Sequence, residues 1–381
     1  MKLCFVIKSL YCIAGGAERV ICEISSEMCA RGHDVVLVTC DHPGQDPFFN
    51  LDHRVQRINL GLGDPGAFSN LWVTLSRMKA LRQIVMENRP DVVIGFMHSI
   101  FVPLGFSLIG TQVPLIGSEH TVPEYYRKRP LEKILLVLVA PFVSRVTVLS
   151  ESIKKRYPTI LQRKMIAISN PLRAARTQSR DENENDRFTL LSIGRLDEGK
   201  NHQALIRAFA KIASEFPMWD LEIIGEGILR PNLELLVESL NIGSRVRMPG
   251  AIRLIESAYQ NADLFVIPSH YEAFGLVTAE AMTYGLPVVG FSDCPGTNEL
   301  IESGKTGILV DQGHDPEGSL ADALRMLLEN PDLRRKLGSA ARESIEGRFS
   351  IEHASDQWEK LFVRTVFMKR SLSVDQLKGG R

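Results

Sequence analysis

Between Asp263 and Gly290 the chain reads strand, polar loop, helix, strand, and few folds admit that unit. Leu264 to Ile267 is a run of four apolar residues without polar alternation, which suits a strand buried on both faces. Pro268 and Ser269 end the run, and a loop carries His270, Tyr271 and Glu272. A helix opens at Phe274 or Gly275 and closes near Tyr284-Gly285, where the glycine can take the left-handed conformation favoured at helix C-termini. Pro287 to Gly290 is the next strand.

Such a unit sets free backbone N–H groups and the positive end of a helix dipole at the carboxyl edge of a sheet, where a phosphate can sit. Two carboxylates flank that end, Glu272 in the loop and Glu280 about two turns up the helix. A carboxylate repels phosphate but accepts hydrogen bonds from sugar and ribose hydroxyls. Taken alone, the pair favours the plain reading of one solvated loop residue and one ordinary helix surface residue, since two glutamates at some fixed spacing occur by chance in most chains.

The same alternation runs through the rest of the chain. Leu3 to Ile7 reads as a strand, Gly15 to Arg31 as a helix closed by Gly32, and Asp34 to Cys40 as a strand. Asp91 to Phe96, Val113 to Ser118 and Arg145 to Ser150 are further strands. A boundary follows Ser169-Asn170-Pro171, because Arg173 to Arg187 is polar, with Asp181 to Asp186 at its centre. A second series then follows: Phe188 to Ile193, Leu221 to Ile224, Val246 to Met248, Leu264 to Ile267, Pro287 to Phe291 and Gly307 to Val310. The expected class is α/β, with two doubly wound domains over residues 1–172 and 173–350.

Four strand ends carry candidate ligand-binding groups. Gly15 and Gly16 stand at the first strand-to-helix turn, where paired glycines let backbone approach a ligand, although no Gly-x-Gly-x-x-Gly is present. Glu119 and His120 end the strand Pro114 to Ser118, at an edge where open α/β sheets bind ligands. No second ligand stands at metal spacing around His120. Gly194-Arg195-Leu196-Asp197-Glu198-Gly199-Lys200-Asn201 follows the first strand of the second series. The planar fork of Arg195 and the point charge of Lys200 suit a diphosphate, though a loop with two basic residues is usually just solvated. Gly225-Glu226-Gly227 ends the next strand, and its glycines also fit a plain tight turn.

Together these stretches resemble retaining nucleotide-sugar glycosyltransferases of family 4, over nearly the whole chain and in four motifs in the right order. The motifs are Gly-Gly-Ala-Glu-Arg after the first strand, Ser-Glu-His, Gly-Arg-Leu-x-x-x-Lys-Asn, and Glu-x7-Glu with Phe-Gly and Glu-Ala-Met-x-x-Gly-x-Pro-Val-Val around it. The resemblance implies a GT-B fold of two Rossmann-like domains facing a central cleft, with the donor held mainly by the second. It assigns catalytic parts to His120, Arg195, Lys200 and Glu272. His120 would hydrogen-bond the donor sugar, Arg195 and Lys200 would neutralise the diphosphate, and Glu272 would face the sugar. Gly15, Gly16, Gly225, Phe274, Gly275, Leu276 and Glu280 would bind the donor, with Glu280 on the ribose hydroxyls. Arg245 to Pro249 would present backbone to the base. Asp293 to Glu299 departs from the relatives' Gly-rich turn, which leaves the part of Glu299 open. The final helix, about Ile351 to Lys369, would cross back to the first domain, leaving Ser371 to Arg381 as a frayed tail. No metal and no cofactor beyond a UDP- or GDP-sugar donor is implied. The general look is that of bacterial enzymes adding a hexose or N-acetylhexosamine to a polyprenyl-diphosphate-linked glycan, as in O-antigen, lipopolysaccharide or exopolysaccharide assembly.

Charge and apolar pattern bear on partners. The chain is neutral, but residues 1–170 hold 20 Lys and Arg against 14 Asp and Glu, a net of +6, and the remainder is −6. That bias points to an anionic partner such as a phospholipid surface or lipid pyrophosphate, and nothing in it suggests nucleic acid. Leu71 to Asn88 sets Leu71, Leu75, Met78, Leu81 and Val85 at helical spacing beside Arg77, Lys79 and Arg82. Tyr125 to Val143 carries Arg127, Lys128, Arg129 and Lys133 ahead of an apolar run. Each reads either as an interfacial helix or as a core helix with a solvated basic face. With six cysteines, no Cys-x-x-Cys and no signal peptide, the expected place is the cytoplasm, peripheral on the inner face of the cytoplasmic membrane. Two rival readings stand beside the transferase. A nucleotide-sugar 2-epimerase would work without an acceptor, and a non-catalytic sugar-nucleotide-binding subunit would be expected to have lost Glu272 or Lys200.

Overall fold

The computed structural model describes residues 1–11, 15–63, 70–172, 187–253 and 255–378. The chain divides into two units, Met1–Pro171 with Ile351–Arg381, and Leu172–Ser350.

The first unit is built on a seven-stranded sheet. Its strands are β1 (Lys2–Val6), β2 (Asp34–Thr39), β3 (Gln56–Asn59), β4 (Val92–Phe96), β5 (Leu115–Ser118), β6 (Arg145–Val148) and β7 (Met165–Ala167). Every pairing is parallel, in the order β3-β2-β1-β4-β5-β6-β7. The central strand β4 is apolar throughout, and β1 and β5 carry a polar residue only at an end (Lys2 and Ser118), because helices cover both faces of such a sheet. The strands β3 and β7 were not legible in sequence. Gln56–Asn59 is polar and only half-buried, and Met165–Ala167 is three residues long, as edge strands often are. The order reverses between β1 and β4, and in open sheets ligands bind outside the carboxyl ends at that point.

The last helix belongs to this unit's core. Phe5 of β1 meets Phe362 edge-on at 6.2 Å, and Phe96 of β4 stacks on Trp358 at 6.1 Å. Arg31 pairs with Asp356 at 2.6 Å and Glu359 at 3.1 Å, fixing the rotation of this helix against helix Gly16–Ala30. It runs Ile351–Lys378, past Lys369 and through most of the stretch expected to fray. Residues 370–378 contain neither glycine nor proline, and Gly379 is the first helix breaker.

The second unit repeats the scheme with six strands: β8 (Phe188–Ile193), β9 (Trp219–Ile224), β10 (Val246–Gly250), β11 (Leu264–Ile267), β12 (Val288–Phe291) and β13 (Gly307–Val310). Their order is β10-β9-β8-β11-β12-β13, again all parallel, with the reversal between β8 and β11. Helices His202–Ile212 and Pro316–Glu329 bury Leu205, Phe209, Ile212, Leu320, Leu324 and Leu327 with Val289 and Phe291 of the sheet. Each such side chain contributes roughly 1.5–3 kcal/mol by burial, and Phe209→Ala would cost about 3–5 kcal/mol. Of the polar stretch Arg173 to Arg187, only Arg187 is among the described residues, held by Asp220 at 2.6 Å. The rest, including Asp181 to Asp186, lies outside them.

Among the described residues, Cys4, Cys22, Cys29, Cys40 and Cys294 form no disulfide. No helix among the described residues is long and apolar enough to cross a membrane.

Candidate active site

The loops after β8 and β11 meet at the reversal of the second sheet. Lys200, from the β8 loop, places its Nζ 2.5 Å from Glu272 Oε1, from the β11 loop. Ser269 donates to the same oxygen at 2.7 Å, and Glu272 is almost fully buried. A second tie joins the two loops, from His270 N–H to Gly199 C=O at 2.9 Å. Arg195 is exposed and pairs with Asp197 at 3.2 Å, while Asp197 Oδ1 accepts from the Lys200 backbone N–H at 3.2 Å. The structure therefore brings Lys200 onto Glu272 and holds Arg195 at the rim.

Gly225 is required by the same loop. Its φ is +150°, and a Cβ there would lie 1.9 Å from the Gly194 carbonyl oxygen. With glycine in place, Leu196 N–H reaches Glu226 C=O at 2.9 Å and the β8 and β9 loops pack backbone to backbone. Only the far end of β10 shares this edge, where Gly250 C=O accepts from Gly225 N–H at 3.0 Å. Arg245, expected near the base, stands at the opposite edge and binds Asp220 at 2.9 Å and the Phe216 carbonyl at 2.8 Å. It immediately precedes β10, whereas ligands of an open sheet gather at the carboxyl ends of strands.

Helix Leu276–Thr283 starts two residues after Phe274, slightly later than the sequence suggested. Gly275, at φ 80°, is its N-cap, and no side chain caps the first N–H groups. Phe274 is buried edge-on against Phe349 at 5.0 Å, so only its backbone can serve a ligand. Glu280 lies in the second turn and is buried, accepting a 2.8 Å hydrogen bond from Tyr259. Neither glutamate is the solvated residue that the sequence alone allowed. The turn Pro295-Gly296 backs the site. Glu272 N–H donates to Pro295 C=O at 3.1 Å, and a Cβ on Gly296 would sit 2.6 Å from the Glu272 carbonyl. Glu299 is exposed on the short helix that follows.

Two further groups here escaped the sequence reading. His202 begins helix His202–Ile212, is buried, and has neither ring nitrogen hydrogen-bonded among the described residues. Burial, and then Lys200, push its imidazole down to about 3. Cys294 is pushed up to about 12 by burial and by Glu272, which keeps it a thiol. Ser269 and Tyr259, which hold the two glutamates, were also missed, the second because it lies 21 residues from its partner.

In the first unit the corresponding edge carries His120, Glu119 and His98. His120 is half-buried, stacks on Phe96 at 5.1 Å and sets its Nε2 2.9 Å from Ser118 Oγ. Burial pushes it down to about 4 against the pull of Glu119, so the ring is neutral at pH 7. Glu119 is buried and points elsewhere, accepting from Tyr126 at 2.8 Å and facing His98 Nδ1 at 3.5 Å. His98 also meets Glu132 at 3.1 Å. Burial lowers its pKa, but Glu119 and then Glu132 outweigh that and leave it raised. His98 follows strand β4 as His120 follows β5, and that position was its sequence signal. Gly15 is the N-cap of helix Gly16–Ala30, with Gly16 its first residue, and residues 12–14 just before lie outside the described residues. Buried Asp41 holds the start of this loop by accepting from Ser9 Oγ and from Leu10 N–H, the latter at 2.9 Å.

The basic-apolar segments divide by side chain. In helix Leu71–Asn88 the expected stripe splits, with Leu81 and Val85 buried but Leu71 and Leu75 exposed. Trp72 beside them is 78% exposed, while Arg77 is buried and donates to Leu62 C=O at 2.8 Å. In helix Pro130–Leu138, Leu131, Ile134 and Leu138 are exposed next to Lys133, with Arg127 and Lys128 exposed just before. Arg129 is half-exposed, lying over the Tyr125 ring at 4.3 Å and pairing with Glu132 at 3.2 Å. Among the described residues no group of three His, Cys, Asp or Glu is placed to hold a metal ion.

Comparison with known proteins adds to this geometry. Residues 175–344 match the family model described as "Glycosyl transferases group 1", and residues 14–176 that described as "Glycosyltransferase Family 4". A Campylobacter jejuni protein, "GalNAc-alpha-(1->4)-GalNAc-alpha-(1->3)-diNAcBac-PP-undecaprenol alpha-1,4-N-acetyl-D-galactosaminyltransferase", is 30% identical over 95% of this chain and 98% of its own length. Among solved structures, sucrose-phosphate synthase from Thermosynechococcus elongatus superposes with a TM-score of 0.82 at 20% identity, over 96% of this chain and 99% of its own. HepE of Anabaena, solved with UDP and glucose, gives 0.77 at 19% over 96% and 100%. At such identities the superpositions establish a common fold.

Proposed function

This chain belongs to glycosyltransferase family 4 and has the GT-B fold, and on that premise we propose that it is a retaining, nucleotide-sugar-dependent enzyme acting on a polyprenyl-diphosphate-linked glycan. The observation that carries the reading is the pairing of Lys200 with Glu272 where the second sheet reverses, beside the uncapped start of helix Leu276–Thr283. A diphosphate bound there meets Lys200, Arg195 from the rim, and the backbone N–H groups of Phe274, Gly275 and Leu276. Glu280, held by Tyr259, binds the ribose hydroxyls, and Glu272, held by Ser269, faces the sugar. Gly225 and the β8–β9 backbone close the same edge.

In the reaction, the bond between the anomeric carbon and the phosphate oxygen breaks while the acceptor hydroxyl attacks from the same face. The acceptor proton passes to the leaving phosphate oxygen. Positive charge growing at the anomeric carbon is stabilised by Glu272, and negative charge on the diphosphate by Lys200 and Arg195. These cations do the work that a divalent metal does in other transferases. The sugar is a hexose or N-acetylhexosamine, and the relative from Campylobacter, named for an undecaprenyl-diphosphate glycan, supports the acceptor class. The first unit takes the acceptor side, with Gly15, Gly16 and His120 at its ligand edge. Its exposed apolar residues beside Arg127, Lys128 and Lys133 rest on an anionic membrane, on the cytoplasmic face where such acceptors are elongated. Surface polysaccharide assembly of the O-antigen kind is the pathway class this suggests.

The test is a panel of UDP-, GDP- and dTDP-sugars read by thermal shift, since a ligand at about 100 times its Kd adds about 2.7 kcal/mol of stability. The selected donor is then turned over on a polyprenyl-diphosphate glycan in EDTA, and the product's anomeric configuration is read by NMR. Inversion, dependence on added Mg²⁺, or sugar conversion without acceptor would each overturn the corresponding part.

A further inference from the structure

A row of side chains crosses three strands of the first sheet. Ser118 of β5 is in register with Phe96 of β4 on one side and Thr147 of β6 on the other. His120 lies two residues beyond Ser118, hence on the same face of the extended chain. Its ring lies over Phe96, 24° from parallel, with Nε2 2.9 Å from Ser118 Oγ. Ser118 Oγ also makes a hydrogen bond with Thr147 Oγ1, which donates to it at 2.9 Å. Both hydroxyl residues are 1% exposed, so bulk water does not compete for them.

A serine hydroxyl has one proton and two acceptor sites. Thr147 donates to Ser118, and among the described residues the Ser118 proton has no other acceptor than His120 Nε2, so the hydrogen bond between them runs from Ser118 to His120. An imidazole that accepts at Nε2 must carry its own proton on Nδ1. We propose that Thr147 and Ser118 form a relay that locks His120 in the Nδ1–H tautomer, so that Nδ1–H is the donor presented to a sugar hydroxyl of the bound substrate. Ser118 and Thr147 are thus positioning residues acting through His120, and the proposal rests on the reading of His120 as ligand-facing.

Two observations agree with it. Among the described residues the ring has no hydrogen bond besides that to Ser118, so Nδ1 is left for a ligand. Glu119, the neighbouring carboxylate that could compete for Nδ1–H, is occupied by Tyr126 and His98. The depressed pKa of His120 means that a neutral ring, for which the tautomer matters, is present across the neutral range. A free imidazole side chain favours the other tautomer, with the proton on Nε2, so the relay makes a distinctive statement.

The full chain labelled with ¹⁵N-histidine gives the tautomer from long-range proton–nitrogen correlations, with His120 assigned by its loss in His120→Gln. The wild type should show Nδ1–H at pH 7, Ser118→Ala a shift toward Nε2–H, and Ser118→Thr the wild-type pattern. Turnover of UDP-N-acetylgalactosamine and UDP-N-acetylglucosamine is the second readout. Ser118→Ala should lower kcat about tenfold, the worth of one misdirected hydrogen bond, with rescue in Ser118→Thr. A wild-type His120 protonated on Nε2, or a tautomer unchanged in Ser118→Ala, overturns the relay. If the tautomer behaves as proposed but His120→Gln keeps full turnover, the relay stands and the ligand-facing role of His120 falls.

Discussion

Lys200 Nζ stands 2.5 Å from Glu272 Oε1 across the point where the second sheet reverses its order. The two residues are 72 positions apart and come from the loops after β8 and β11. The pair joins a cation suited to a diphosphate with a carboxylate suited to a developing sugar cation. Glu272 is buried, so the lysine also compensates a charge that would otherwise be stranded.

Lys200→Ala should therefore do two things. Turnover should fall by roughly two orders of magnitude or more, as for loss of a group that stabilises leaving-group charge. Stability should fall by about 1–3 kcal/mol, because Glu272 keeps Ser269 but loses its cation. Adding Glu272→Gln should return most of the stability and none of the turnover. Urea unfolding beside initial rates reads both, and a double variant no more stable than Lys200→Ala would contradict the charge argument.

The two glutamates should separate kinetically. On the proposed assignment of Glu280 to ribose hydroxyls that do not react, Glu280→Gln should raise the donor KM more than it lowers kcat. Tyr259→Phe, which removes the hydroxyl that orients Glu280, should show a weaker version of the same pattern. Glu272→Gln should mainly lower kcat. Steady-state kinetics on the three variants decides the matter, and a reversed pattern would mean that the donor lies the other way along helix Leu276–Thr283.

Binding to vesicles should need anionic lipid and weaken with salt. Arg127→Glu with Lys128→Glu should reduce it, each basic residue being worth about 1 kcal/mol near such a surface. Trp72→Ser should reduce it independently of salt, since Trp72 is exposed and contributes apolar area. Sedimentation with neutral and anionic vesicles measures both, and equal binding to neutral vesicles would rule out the electrostatic part.

His202 should make the protein sensitive to mild acid. Its folded pKa, about 3, lies below the unfolded value of 6.5, so between them the unfolded chain binds the extra proton. Stability from this group is complete above pH 6.5 and is lost as the pH falls toward 3. From pH 7.5 to 5 the loss is about 2 kcal/mol. His202→Leu breaks no hydrogen bond, because neither nitrogen makes one, and should remove that part of the pH slope. Urea titrations of both proteins at the two pH values provide the comparison, and identical slopes would contradict the assignment.

Much of the architecture could be read from short local patterns. Leu264–Ile267 is the strand that its apolar run indicates, because a strand buried on both faces needs only apolar residues over a few positions, and mainly apolar runs likewise marked the partly buried strands Phe188–Ile193 and Gly307–Val310. The Glu-x7-Glu and Gly-Arg-Leu-x-x-x-Lys-Asn stretches were visible for a similar reason, as each lies within one loop-helix junction. Helix Leu71–Asn88 shows the limit of such patterns. Its five periodic apolar residues promised one stripe, yet Leu81 and Val85 enter the core while Leu71 and Leu75 face out with Trp72. Periodicity tells which residues share a face but not how much of that face a neighbour covers.

What the sequence determined by itself was thus the alternation of strand and helix, the two-domain scale, and the residue types offered at each strand end. Only the tertiary structure decided which strand ends are neighbours. Strand order, β10-β9-β8-β11-β12-β13, brings Lys200 to Glu272, and the register of β4, β5 and β6 lines up Phe96, Ser118 and Thr147 under His120. It also sent Arg245 to the edge away from the site and gave Glu280 its partner Tyr259. Pairing of this kind depends on the distance between groups, which for residues tens of positions apart is set by chain crossovers and sheet register. No local composition encodes that distance.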